Sequence, residues 1–329
     1  MSKEKILVTG GTGFIGSYLV RRLVESDYKV IVFDNNFRGS WNHLKDIQGD
    51  FEFIEGDIRE KEDVKNAARG CQTMFHLAFI NGTRYFYEHP ELVLEVGVKG
   101  ALNTLEVAME NGFSKYIVAS SSEVYQQPTH VPTTEEERIF IPDVKNPRYS
   151  YGGGKIISEL LTLNYLRGSS IHHCIFRPHN IFGPQMGFEH VIPEITRKLY
   201  KATDNWSKAK CQLKIEGTGE ETRAFCYVED AVSQLMVILE KGISGEIYHI
   251  GMDEEITIKQ LIQDMAQALS IKIEIVTGEI KKGSTSRRCP SIEKIRCLGY
   301  AKNNHYLEGL KNTLEWYKEY FSCAEILAI

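Results

Sequence analysis

The chain contains no Cys-x-x-Cys pair, no long uninterrupted apolar run and no surplus of basic residues. Each absence argues against a class of function. The seven cysteines, Cys71, Cys174, Cys211, Cys226, Cys289, Cys297 and Cys323, are scattered and odd in number. That pattern fits neither a disulfide framework nor a structural zinc site; it predicts no bound metal and suits a reducing cytoplasm. Lysine and arginine total 39 against 44 aspartates and glutamates, a formal net charge of −5, so no nucleic-acid partner is expected. No apolar run reaches the roughly 18–20 residues that span a bilayer, and no membrane partner is expected either. Met1-Ser2-Lys3-Glu4-Lys5 leads straight into a strand, without the apolar core of a signal peptide.

What is present is a globular composition, 42% apolar and 25% charged over 329 residues, enough for one large domain and a smaller one. Lys5–Thr9 is a short apolar strand closed by glycines, after which Ile15, Leu19, Val20 and Leu23 recur at helical spacing. Lys29–Phe33 is a second strand, ended by Asp34. Strand, helix and strand at this length form a βαβ unit, which requires a parallel pair. The alternation continues with strands at Phe51–Glu55, Thr73–Leu77, Tyr116–Ser120 and Ile171–Phe176, and helices at Lys61–Ala68, Leu92–Asn111 and Tyr151–Leu166. After about Gly183 it weakens: Trp206–Gly219 reads as polar and irregular, and Glu229–Leu239 and Thr257–Leu269 as helices. The pattern predicts an α/β fold, a Rossmann-type doubly wound parallel sheet over residues 1–180. Residues 181–329 are expected to form a smaller C-terminal α+β substrate lobe, interleaved with the last parts of the sheet.

The turn after the first strand reads Thr9-Gly10-Gly11-Thr12-Gly13-Phe14-Ile15-Gly16. Gly10 permits a tight turn, Gly13 admits a pyrophosphate close to the backbone, and Gly16 lets the helix approach the strand. The helix start, at Phe14 and Ile15, then offers free N–H groups and a positive dipole end to the anion. Such a spacing marks a dinucleotide site when it follows a strand and opens a helix, as here. Asp34 ends the second strand where a ribose-binding acid is expected; its charge repels a 2′-phosphate and favours NAD over NADP, although Arg38 lies close in sequence. Asp57 and Ile58, after the third strand, are candidate contacts of the adenine edge, with a helix N-cap as the plainer use of Asp57.

Tyr151 and Lys155 lie at i and i+4 on a predicted helix and share a face. A free tyrosine has a pKa near 10, and a nearby ammonium favours its phenolate. A lysine one turn along is the simplest way to make tyrosine a general base. Ser120-Ser121-Ser122-Glu123-Val124-Tyr125 sets hydroxyls and a carboxylate at a C-terminal strand end, the edge at which open α/β sheets bind ligands.

Together these segments resemble the NAD-dependent epimerase/dehydratase family of extended short-chain dehydrogenases/reductases, which modify nucleotide-linked sugars. The resemblance runs from about Lys5 to about Gly299. It is carried by Thr9–Gly16, Gly56-Asp57, His76-Leu77-Ala78, Ser120–Tyr125, Tyr151–Lys155, Arg177–Pro184, Arg223 and Tyr227-Val228-Glu229-Asp230. It implies that Leu77 and Ala78 join the cofactor contacts. Tyr151 would take the proton of the sugar 4-hydroxyl while hydride leaves C4 for the nicotinamide. Lys155 would lower the tyrosine pKa and bind the nicotinamide ribose, and Ser121 would hydrogen-bond the reacting oxygen. Ser122 is expected at the sugar, as is Arg84 from the aromatic loop Asn81–Pro90. Asn180, Arg223 and Arg288 are expected at the diphosphate, where an arginine fork suits phosphate. A homodimer paired through Leu92–Asn111 and Tyr151–Leu166 is also implied.

A 4-keto sugar is a branch point between dehydration, epimerisation, decarboxylation and release. Ser121-Ser122-Glu123 occupies the position of the Thr-Asp-Glu triplet of dTDP-glucose 4,6-dehydratases, with serine in place of the acid that protonates the leaving hydroxyl. It is closer to the Thr-Ser-Glu of GDP-mannose 4,6-dehydratases and UDP-glucuronate decarboxylases, in which case Glu123 is a candidate C5 base. Arg177–Pro184 is similar to GDP-mannose 3,5-epimerases, a reason to expect GDP, but their cysteine is not evident here. The leading expectation is a C4 dehydrogenase or an epimerase acting through a 4-keto sugar. The alternatives are a 4,6-dehydratase, a UDP-glucuronate decarboxylase and, in another class, a non-catalytic NAD(P)-binding sensor. Two departures from the family stand out: Gly97 replaces an asparagine, and the spacer Gly152-Gly153-Gly154 is expected to make room for a bulky substrate.

Overall fold

The glycine loop turns the chain from strand β1 (Lys5–Thr9) into helix α1 (Phe14–Glu25), which returns it to β2 (Lys29–Asp34) in parallel register, Lys5 opposite Lys29 and Thr9 opposite Phe33. Helix α1 turns Leu19, Val20 and Leu23, all fully buried, toward the sheet. The unit then repeats. A 3-10 turn (Trp41–Ile47) leads to β3 (Glu52–Glu55), α2 (Lys61–Ala67) and β4 (Thr73–His76). A short helix α3 (Thr83–Glu88) and the long α4 (Pro90–Glu110) lead to β5 (Lys115–Ala119), and α5 (Ser150–Tyr165) to β6 (His172–Pro178). The computed structural model describes residues 4–279 and 286–327.

The second half comprises β7 (Ile181–Phe182), α6 (Val191–Ala202), β8 (Lys210–Lys214), β9 (Thr222–Ala224), β10 (Cys226–Tyr227), α7 (Val228–Lys241), β11 (Ile247–Ile250), β12 (Glu255–Thr257), α8 (Ile258–Leu269), β13 (Lys272–Val276), β14 (Arg287–Arg288), α9 (Glu293–Cys297) and α10 (Tyr306–Leu327). Helix α7 and strand β11 rejoin the first half. β11 pairs in parallel with β6 and completes a seven-stranded sheet of order β3-β2-β1-β4-β5-β6-β11. The direction of winding reverses between β1 and β4, so the loops after these strands part and leave a crevice at the C-terminal edge. Both faces of the sheet are covered. Ile6, Val8, Phe75 and Phe176 meet Leu19 and Leu23 of α1 and Leu235 and Leu239 of α7. Leu7, Ile31, Phe33 and Met74 meet Val64 of α2, Leu105 of α4 and Leu161 of α5 on the other side. That is why the central strands read as continuous apolar runs rather than as alternating ones.

A separate apolar core, with Leu199, Leu213, Leu261, Met265, Leu314 and Tyr317, organises the smaller lobe. Two expectations are corrected there and nearby. Trp206–Gly219 is not irregular throughout, because Lys210–Lys214 forms β8, parallel to β13, with Cys211 and Leu213 inward and Lys210, Gln212 and Lys214 exposed. A two-residue period was hidden in a polar composition. Asn81–Pro90 is likewise no open loop, since it holds α3.

A buried carboxylate helps pin the last helix to the large layer. Asp230, buried in α7, accepts from the backbone N–H of His305 at 3.1 Å and meets its Nδ1 at 2.5 Å, just before α10 begins. The Asp230 carboxylate holds the His305 imidazole above its ordinary pKa of 6.5. A pKa raised in the folded state contributes stability that is complete below the unfolded value and fades as pH rises through the folded one. His305→Gln should therefore lower Tm most below pH 6.5, with the gap from the parent closing as pH rises. Thermal melts between about pH 5 and 9 check this; a gap independent of pH would remove the ionic component.

Candidate active site

A cavity of about 1120 Å³ runs along the C-terminal edge of the sheet, from the glycine loop to the smaller lobe. Gly10, Gly13, Phe14, Ile15 and Gly16 line one end, with Asp34, Asp57, Ile58, Leu77 and Ala78 around them. Gly10 has φ +73°, and a methyl on it would stand 2.7 Å from the Ala78 nitrogen; one on Gly16 would stand 2.1 Å from the Gly10 carbonyl oxygen. No side chain caps the start of α1, so its first amides are left as donors at the cavity. Asp34 is held in place, accepting from the Thr12 amide at 3.1 Å and the Asn36 amide at 2.8 Å. A backbone cradle, an uncapped helix start and a fixed carboxylate fit the diphosphate and ribose of a dinucleotide. Asp57 is more committed: Arg59 at 2.8 Å and Asn35 at 3.2 Å both donate to it and hold it below the usual carboxylate range.

Ser121, Tyr151 and Lys155 line the cavity where β5 ends and α5 begins. Ser121 hydrogen-bonds the Tyr151 phenol, while burial pushes the phenol up to about 12 against that bond. Lys155 is buried, donates to the Ala119 carbonyl at 2.6 Å, and is pushed down to about 7 by burial against the pull of Glu159. The expected direct lowering of the tyrosine by the lysine is not what dominates here. The ammonium lies 5.9 Å from the centroid of the Tyr151 ring, and desolvation acts on both groups more strongly than their mutual attraction.

Glu123, Ser122, Asn180, Arg223 and Arg288 line the far part of the cavity. Arg288 bonds Glu123 at 2.6 Å, and it, Arg148 and Arg223 together hold the Glu123 carboxylate below its usual range despite burial. Burial and the neighbouring Arg288 push Arg223 down to about 10. Guanidiniums grouped on one wall of the cavity are suited to meet an anion. Asn180 sits at φ +44°, and its side-chain amide donates to the Ala224 carbonyl at 3.2 Å, tying the β7 turn to β9. Arg84 is not brought in: it is exposed, pairs with Glu88 at 2.7 Å and does not line the cavity. From the same segment Phe86 reaches the site instead and stacks on Tyr151 at 5.1 Å. Arg287 pairs with Glu255 at 2.6 Å, and the Gly283–Thr285 part of the loop before it lies outside the described residues.

Sequence reasoning missed Arg148 and Phe79, both on the cavity wall. Arg148 carries no signal of its own beyond standing three residues before Tyr151. Phe79 had an indirect one. The glycines expected to admit a bulky substrate are close to the protein's own groups: a methyl on Gly154 would meet the Phe79 ring at 2.9 Å, and one on Gly152 the Gln126 amide at 2.8 Å.

Comparison with known proteins agrees with this geometry. The model of the NAD dependent epimerase/dehydratase family matches residues 6–251. Over 328 residues the chain is 30% identical to a UDP-N-acetyl-α-D-glucosaminuronate decarboxylase of Bacillus cytotoxicus, covering 96% of this chain and 98% of the relative. Among solved structures, a UDP-glucose 4-epimerase of Thermotoga maritima with UDP-glucose is similar at 27% identity and TM-score 0.83, over 96% of this chain and 99% of that one. A dTDP-glucose 4,6-dehydratase of Streptomyces venezuelae with NAD bound is similar at 28% identity and TM-score 0.82, over 96% and 97%.

The cradle makes a direct prediction. Gly16→Ala drives a methyl into the Gly10 carbonyl, a contact with rigid backbone that costs about 1–3 kcal/mol. NAD affinity measured by calorimetry should fall at least about fivefold. Unchanged affinity would mean that the glycine loop is not the cofactor cradle.

Proposed function

Since the chain belongs to the NAD-dependent epimerase/dehydratase family, we propose that this enzyme oxidises C4 of a nucleotide-linked sugar with NAD and processes the 4-keto sugar in the same cavity. The observation that carries the reading is the group Ser121, Tyr151 and Lys155, set between the glycine cradle and the arginine cluster on one continuous wall. NAD, when bound, supplies the hydride acceptor. Gly10, Gly13 and Gly16 would border its diphosphate, Asp34 would hold its adenosine ribose, and Lys155 would hold the second ribose. Tyr151 takes the proton of the 4-hydroxyl, and Ser121 holds that oxygen. The phenol must fall from about 12 toward neutrality to act as a base, and the Ser121 hydrogen bond and the Lys155 ammonium both act in that direction. The intact tyrosine–lysine pair speaks against a non-catalytic sensor.

Of the possible fates, dehydration has the least support. Glu123 is ionised against Arg288, and Ser122 offers no acid for a leaving hydroxyl. Release of the ketone, or return of hydride to its other face, needs no further acid or base, which favours a C4 dehydrogenase or an epimerase. One observation favours a second reading. Arg148, Arg223 and Arg288 all line the cavity beside Glu123 and suit a substrate that carries a carboxylate of its own. A 4-ketone is β to the C6 carboxylate of a uronate, so carbon dioxide is lost without a base, and the Bacillus cytotoxicus relative is by name a uronate decarboxylase. The relatives are named for UDP and dTDP sugars, which supports a pyrimidine nucleotide over GDP. The segment that suggested GDP begins with Arg177, which does not line the cavity and is paired with Glu159. No helix among the described residues is long and apolar enough to cross a membrane; a cytoplasmic setting is part of this proposal.

Incubation with NAD and a panel of UDP-, dTDP-, GDP- and CDP-sugars, uronates included, separates these fates by product mass. Loss of two hydrogens means a dehydrogenase, loss of water a dehydratase, loss of carbon dioxide a decarboxylase, and unchanged mass with new retention an epimerase. Tyr151→Phe should lower kcat by about 10²–10⁴ while NAD affinity is kept. Full turnover by that variant, or no product from any sugar, would overturn the proposal.

We further propose a homodimer paired through α4 and α5. These helices expose Leu94, Ile157, Leu160 and Tyr165, with Leu160 54% accessible. Analytical ultracentrifugation should find a dimer for the parent and a monomer for Leu160→Glu; a parent that sediments as a monomer refutes it.

A further inference from the structure

Phe79 follows β4 and stands where three elements meet. A methyl on Gly97 of α4 would lie 2.3 Å from the ring, and one on Gly154 of α5 would lie 2.9 Å from it. The ring therefore fills a slot that exists only because both helices carry glycine there. Glycine inside a helix is costly relative to alanine, and here the cost falls twice around a single side chain. The face of the ring lies under the Lys155 ammonium, 3.9 Å from centroid to nitrogen, and its edge contact with Tyr151 is 5.2 Å between centroids at 86°. An ammonium within about 6 Å of a ring face is attracted by the ring quadrupole, more strongly when desolvated. Lys155 is desolvated, and its hydrogen bond to Ala119 satisfies only one of its three donors.

We infer that Phe79 is a positioning residue for Lys155: its ring, seated between Gly97 and Gly154, holds the ammonium against the Ala119 carbonyl and keeps it charged. The charged form is the one that favours the Tyr151 phenolate, so the ring acts on the tyrosine through the lysine. The titratable groups facing Lys155 are Glu159 on its own helix, Tyr151, and His76 at the end of β4. Glu159 favours the ammonium, and His76 is buried and pushed down to about 3, so it adds no competing charge near neutrality.

The test reads the lysine directly, in the full chain with and without NAD. With lysine labelled at ¹³Cε, the Lys155 resonance is identified by its loss in Lys155→Met and followed between about pH 5 and 10. Phe79→Leu keeps an apolar filler but removes the ring face, and should lower the Lys155 midpoint by about one pH unit. Gly97→Ala, which pushes the ring aside, should move it in the same direction. The double variant should move it no further than the larger single effect, because leucine leaves room for the methyl. Should Phe79→Leu not fold, Gly97→Ala and Gly154→Ala displace the ring without removing it. An unmoved midpoint in the folded variants overturns the inference, even where stability has dropped, because a packing role moves only stability. The role in turnover rests on Tyr151 and Lys155 being the oxidation pair: with substrate, the alkaline limb of kcat/KM should move to lower pH in Phe79→Leu. A shifted Lys155 titration without any product would defeat the functional reading and leave the positioning role intact.

Discussion

A buried ion pair ties together the elements that carry the candidate reacting groups. Arg177 on β6 and Glu159 on α5 meet at 2.7 Å, their side chains 3% and 4% exposed. Glu159 also accepts from Ser120, at the start of the serine segment, while Arg177 reaches the Tyr125 hydroxyl and the Glu135 carbonyl. The helix that carries Tyr151 and Lys155 is thereby keyed to the strand end that carries Ser121 and Glu123. A pair this deep adds little net stability, since desolvation offsets most of the attraction, but losing one partner costs about 3–5 kcal/mol. Its effect is registry. A slip of α5 by one residue would strand a carboxylate in the core as well as separate the phenol from the serine.

Desolvation also governs the chemistry. Tyr151 and Lys155 are both held toward their neutral forms by the environment that makes their interactions strong. At the other end of the cavity the balance is reversed, because Glu123 is ringed by guanidiniums and stays ionised although buried. One cavity thus contains a desolvated centre at Tyr151 and Lys155 beside a charged cluster at Glu123 and its arginines. The proposed nucleotide-sugar substrate would use that division, its sugar carbon at the first and its diphosphate at the second.

Much of this was legible in the residues. Lys5–Asp34 announced its βαβ unit because an apolar strand, three spaced glycines and a helical stripe have few other uses. Tyr151, Lys155 and Ser121 were legible as a group because their spacing puts them at one strand end. The rest was hidden for identifiable reasons. β8 was concealed by its outward lysines and glutamine. Arg84 belongs to a segment that reads as a loop, but the helix it lies on turns it to Glu88 and turns Phe86 inward. Arg148 depends on a 3-10 turn that no motif marks. The glycines at 97 and 154 stand out in the sequence, but their partner is the Phe79 ring, about twenty residues from the nearer one in the chain, a distance no local pattern reports.

The seventh strand has a mechanical consequence. Chain from the smaller lobe returns to the large sheet as α7 and β11, leaves it again, and comes back once more as α9, which packs on β11. The cleft is therefore bridged by several stretches of backbone rather than by one linker. A swing about a single hinge would have to bend all of them together. Backbone crossing the cleft several times thus resists hinge opening and leaves rim loops and small shifts of packed helices as the cheaper movements.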